Sequence, residues 1–181
     1  MFRDNEPAIA AFLRRLAQVE SAITTGAFIA LIVLVFADVA SRELTGAGLH
    51  WARQAGVYAN IIVVMIGLGV ASDSGAHLRP RFADGWLPVA WAPVLVRMQH
   101  GLMSLFCLGF AAIALGVVLD SMVLGERSAA LRVVVWPIQA VIPLAFFVAF
   151  LRHGLFAAYP SLAPAEAMQV ADESVDPGRE L

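Results

Sequence analysis

Four blocks of about twenty apolar residues recur along the chain, each long enough to cross a hydrocarbon core of roughly 30 Å as a helix. They run from about Ser21 to Ala40, Ala52 to Ser72, Gln99 to Asp120 and Val133 to Leu151, and the third has room to begin near Val89. Backbone polar groups in lipid must be satisfied within the segment that carries them, so each block is read as a helix. Only 14% of the residues carry a formal charge. Soluble domains carry roughly a quarter, so there is too little charge here to clothe a water-exposed surface. The expected fold class is all-α: an integral membrane bundle of four transmembrane helices, with an N-terminal interfacial helix as an option.

The organisation expected is an N-terminal cytoplasmic or interfacial segment over residues 1–20, a four-helix transmembrane domain over 21–152 and a polar tail over 153–181. Arg3, Asp4, Glu6, Arg14, Arg15 and Glu20 interrupt the first segment, so it lacks the apolar region of a cleavable signal peptide. Ile9, Phe12, Leu13 and Leu16 share a helical face, with Arg14 and Arg15 turned away from it. That pattern suits a helix on the membrane surface or an extension of the first span. The loop Thr45 to His50 is short, which makes the first two spans antiparallel neighbours. The connection from Asp73 to Met98 is longer and carries Trp86 and Trp91, residues suited to the headgroup zone. The tail is acidic and expected to lack a fixed structure.

With four spans both termini lie on one side, which holds Arg3, Arg14, Arg15, Arg79, Arg81, Arg97, Arg152 and Arg179. The other side holds only Arg42, Arg53, Arg127 and Arg132. The excess of positive charge places both termini in the cytoplasm.

No span carries a charge near its middle, where ion-coupled transport sites usually place ionisable groups. Asp38 and Asp120 lie at span ends on the expected outer side. Arg42 follows Asp38 by four residues and can pair with it along one helix face. The sharper alternative is a partner-binding cluster of Asp38, Arg42, Gln54 and Asp120. Asn60 is the strongly polar residue well inside a span. It shares a face with Gly56, Val64, Gly67 and Ala71, a pattern that brings helices together. Gly109, Ala112 and Gly116 make a similar face on the third span. Pro137 and Pro143 lack amide donors, and Pro143 is expected to kink the fourth helix.

No nucleophile elbow, phosphate-binding loop, zincin helix or dinucleotide fingerprint occurs, so an enzyme is not expected. Cys107 reads as a small core residue. His100 and His153 alone are placed for facing axial ligation, both at helix ends, and no cofactor is expected. A haem-bearing membrane anchor of a redox complex is kept as the alternative.

Four passages carry a family resemblance. Asp38-Val39-Ala40-Ser41-Arg42 ends the first span in an arginine, and Leu49-His50-Trp51-Ala52-Arg53-Gln54 opens the second with a tryptophan. Gly67-Leu68-Gly69-Val70-Ala71 and Gly75-Ala76-His77-Leu78 form a glycine-rich helix end and a Gly-x-His element. Ser128 and Ile142-Pro143-Leu144 mark the last turn and the fourth helix. In their order and spacing these passages resemble the small membrane subunit (DctQ type) of the tripartite ATP-independent periplasmic, or TRAP, transporters, over roughly Ile23 to Arg152. The chain departs from the family at Gln54, where glutamate is common, and at Arg79-Pro80-Arg81.

The resemblance implies a multi-pass subunit of a bacterial inner membrane. It would scaffold a large multi-span subunit that uses the sodium gradient, and help dock a periplasmic binding protein that captures a solute, often a carboxylate. Interface residues expected on the outer side, from their place at the span ends and in the quoted passages, are Asp38, Arg42, Trp51, Gln54 and Asp120. His77 and Arg79 belong to the cytoplasmic loop, and Asn60, Gly67, Ala71, Gly109, Gly116 and Pro143 to helix packing.

Overall fold

A computed structural model describes residues 6–73 and 92–163 of the 181. His77, Arg79, Trp86, Trp91 and most of the acidic tail lie outside the described residues. Helix α1 spans Glu6–Thr45, α2 His50–Asp73 and α3 Ala92–Leu124. A short helix α4, Trp136–Gln139, leads into α5, Val141–Ala158, and a 3-10 turn closes at Pro160–Leu162. Four helical stretches are long and apolar enough to span a membrane, with α4 and α5 together forming the fourth.

Helix α1 passes through residue 20 without interruption, so the amphipathic N-terminal stretch continues the first span. Its Leu13 and Ile9 pack against Phe156 and Leu155 near the end of α5, and against Leu162 and Ala163 just beyond it. Two carboxylates on α1, Glu20 and Asp38, are buried. They bracket an uncharged stretch and lie eighteen residues apart, about 27 Å along a helix. That length matches the hydrocarbon thickness and marks the two membrane borders.

The helices alternate in direction. Neighbouring contacts run α1–α2, α2–α5 and α5–α3, so two hairpins, α1–α2 and α3–α5, meet through α2 and α5. In the first hairpin Gly67 lies against Thr24 and Gly56 against Leu31. In the second, His100, Ser104, Cys107, Ala111, Val118 and Ser121 form the covered seam of α3, all but His100 fully buried. Their spacing of three, four and seven residues is that of left-handed helix packing. Ser104 donates from its hydroxyl to the Phe150 carbonyl at 3.0 Å, and Phe110 meets Phe146 across the same hairpin.

The small-residue face expected to pack on α3 is turned away from the other helices of the chain. Gly109, Ala112 and Gly116 are exposed, and nothing lies within 4 Å of a side chain added at Gly109 or Gly116. Both faces of α3 carry small residues at helical spacing. The face that packs is the one whose hydroxyl finds a carbonyl on α5.

Pro143 is buried, and its effect appears upstream of the ring. Lacking an amide donor, it leaves the Gln139 carbonyl without its ladder partner. The helix is divided at Ala140, whose φ of −61° and ψ of −19° keep the path right-handed. The result is an interrupted ladder near the start of the span, where the sequence suggests a kink near its middle.

Candidate functional site

The ion-paired side chains among the described residues lie at the two membrane borders. At one border Arg152, on α5, is 0% exposed. It donates from Nη2 to Glu20 on α1, forming an ion pair, and from Nη1 to the backbone carbonyl of Gly69 on α2. One guanidinium thus ties three helices together. Gly69 is required for this closeness, because a Cβ there would collide with the Glu20 carboxylate. A buried charge is tolerated only when it is paired and hydrogen-bonded; here both Nη atoms are engaged, while the buried Nε has no hydrogen-bond partner among the described residues.

His100 and His153 adjoin the pair. Their Nδ1 atoms are 3.2 Å apart and their rings stack with centroids 5.4 Å apart. Phe156 meets both rings at a steep angle. With the nitrogens in direct contact and the rings stacked, no space remains between the histidines for a porphyrin and its iron.

At the other border Asp38 does two jobs. Its Oδ2 accepts from Arg42 Nη2 at 2.8 Å, and its Oδ1 accepts from the Leu49 backbone N–H at 2.6 Å. Leu49 immediately precedes α2, so the carboxylate satisfies an amide at a helix start and sits favourably near its positive end. A Cβ on Gly48 would approach Asp38 Oδ1 to 2.9 Å, so glycine keeps the loop tight. Thr45 Oγ1 donates to the Ser41 carbonyl and helps close α1.

Gln54 links this hairpin to the second one. Its Oε1 accepts from the Ala130 N–H at 2.9 Å and its Nε2 donates to the Tyr58 hydroxyl at 3.1 Å. Ala130 belongs to a small ordered turn. Ser128 N–H donates to the Val133 carbonyl, Val135 N–H donates to the Glu126 carbonyl, and Ser121 donates to Glu126 Oε2. Gly125 and Arg132 adopt positive φ of 60° and 53° within it.

The structure therefore brings Asp38 and Arg42 together and gives Gln54 a separate partner. Trp51 is half exposed and Asp120 is exposed. No side-chain hydrogen bond or ion pair among the described residues joins Asp120 to Asp38, Arg42 or Gln54. Gly67 lies against Thr24 and Ala71 is half-buried. Asn60 and Val64 turn outward. Four-residue steps overshoot a helical turn by about 40° each, so one such row drifts off its contact face.

Glu20, Gly69 and Arg152 are absent from the sequence-derived candidates. A signal was nonetheless there: alternating spans put a lone acid before the first block and a lone base after the fourth at one membrane border.

The family model described as "Tripartite ATP-independent periplasmic transporters, DctQ component" matches residues 31–159. No match was found among curated proteins or among solved structures.

Proposed function

The chain belongs to the DctQ family, the small component of tripartite ATP-independent periplasmic transporters, and from that premise we propose that it is a non-catalytic scaffold for the large ion-coupled subunit. The observation that carries this reading is where the charges lie. The two ion pairs among the described residues sit at the membrane borders, and each is consumed in holding helices or a loop together. Among the described residues, none of the spans offers a charged group near its middle for an ion or solute to use. Solute movement and use of the sodium gradient are accordingly assigned to the partner.

In this proposal both termini face the cytoplasm of a bacterial inner membrane. The Asp38–Arg42 hairpin and the Gln54-bound turn then face the periplasm, where Arg42 and Trp51 are available to a binding protein that delivers a carboxylate solute. The outward Asn60, Gly109 and Gly116 lie on faces open to the large subunit.

The experiment is affinity purification of the tagged chain from mild detergent, with mass spectrometry of what accompanies it. A multi-span protein in near-stoichiometric amount is the expected result. Recovery of redox subunits with a Soret band would instead support the haem-anchor reading.

A further inference from the structure

We infer that the groove between α1 and α2 at the Glu20 border binds a phospholipid, holding its phosphate at Arg14 and Gln18 and its glycerol esters at Ser21 and Thr25. The groove is a shallow, open depression of about 680 Å³, and Ala22 and Val70 add apolar wall to these polar residues. Arg14, Gln18, Ser21 and Thr25 follow one another at spacings of four, three and four, which places them in a single row along α1.

All four are exposed, and no side-chain hydrogen bond or ion pair within the described chain engages them. Facing hydrocarbon, such a row would leave donors and acceptors unsatisfied at substantial cost.

The depth of the row decides what satisfies it. Arg14 lies six residues before Glu20, about 9 Å outside the border, and Thr25 lies five residues after it, about 7 Å inside. The row thus descends from the headgroup layer through the ester layer to the start of the acyl chains. A guanidinium binds phosphate with two parallel hydrogen bonds, and hydroxyls at the ester level donate to carbonyl oxygens. Ala17, Ala22 and Val70 add apolar wall beside the row, at the depth of the phosphate and the esters. Charge, donor order and depth all match one lipid molecule lying lengthwise in the groove. This inference needs only the membrane placement of α1, and holds whichever partner the chain has.

The test uses the full chain, in the complex it forms, delipidated in mild detergent and titrated under native mass spectrometry. The probes are phosphatidylglycerol, a diacylglycerol with the same tails, and glycerol phosphate. Phosphatidylglycerol is expected to be retained, and the other two are not. Arg14→Ala is expected to weaken retention about tenfold, as for the loss of a charge-assisted contact. Arg15→Ala removes the same charge from a residue outside the groove and is expected to change it less than about twofold. Equal losses in the two variants would show general attraction to basic residues and overturn the site. Binding of diacylglycerol equal to that of phosphatidylglycerol, or binding of glycerol phosphate alone, would overturn the phospholipid assignment. A photoreactive residue at Ala22 gives a second measurement: crosslinks to lipid are expected, and crosslinks to a protein subunit would overturn the proposal.

Discussion

The two membrane borders are both held by an aspartate or glutamate with an arginine, yet the pairs do different work. Glu20 and Arg152 are 132 residues apart in sequence and join α1, α2 and α5 in the interior. Asp38 and Arg42 are four residues apart on one helix, and the arginine side chain is 54% exposed. The contrast follows from chain connectivity. At the Asp38 border a four-residue loop already binds α1 to α2, so the acid has only to cap the loop. At the Glu20 border α2 is joined to α3 through residues 74–91, and α1 and α5 have no direct link there. Side-chain chemistry supplies the fastening that a short loop supplies elsewhere.

This comparison would break most visibly at Arg152. Arg152→Leu leaves Glu20 charged and unpaired in a buried site, and should destabilise the chain by about 3–5 kcal/mol, read as a fall in unfolding midpoint in detergent. Adding Glu20→Leu should recover most of that loss, because a well-packed apolar pair can replace a buried ion pair. A double variant as weak as the single would mean that the pair fixes helix position in a way apolar packing cannot. Gly69→Ala should come next, at about 1–3 kcal/mol, since the added methyl drives Glu20 off its partner. A near-zero change there would show that the three helices have slack at this point.

At the other border Asp38→Ala should cost about 0.5–2 kcal/mol, the usual effect of losing a capping carboxylate. Arg42→Ala should cost less than about 1 kcal/mol, as for an exposed i,i+4 pair. If Arg42→Ala matched Asp38→Ala in unfolding experiments, the ion pair rather than the Leu49 hydrogen bond would hold the loop. Asn60→Leu should have the smallest effect on the chain itself, within about 0.5 kcal/mol as for a surface site. It should weaken association with the large subunit by about 0.6–2 kcal/mol, measured as dissociation of the complex in detergent.

The helices were legible because hydrocarbon imposes a length and a composition that few other folds satisfy. The alternation of spans was legible too, and with it the i,i+4 partnership of Asp38 and Arg42. Residues whose roles depend on packing were not. The small faces of α3 look alike in sequence, and only the partner helix distinguishes Ser104 and Cys107 from Gly109 and Gly116. Glu20 and Arg152 each look like an ordinary border residue when read alone. Their meaning is joint, and periodicity within one helix says nothing about a partner on another. Gln54 is similar: its two contacts, to Tyr58 and Ala130, use the donor and the acceptor of an amide respectively, and the second reaches across to the second hairpin.

Helix α1 holds both of its buried acids in fixed partnerships, and so acts as a ruler with two pinned ends. A free span meets a thicker or thinner bilayer by sliding its polar ends or letting long side chains reach for water. Here Glu20 is clamped by α5 and Asp38 by its own loop, so neither end can travel. Tilting only shortens the distance the ruler covers, so a bilayer thicker than its length must thin around the protein. The chain should therefore favour membranes no thicker than about 27 Å, and impose that thickness on any larger subunit that assembles beside it.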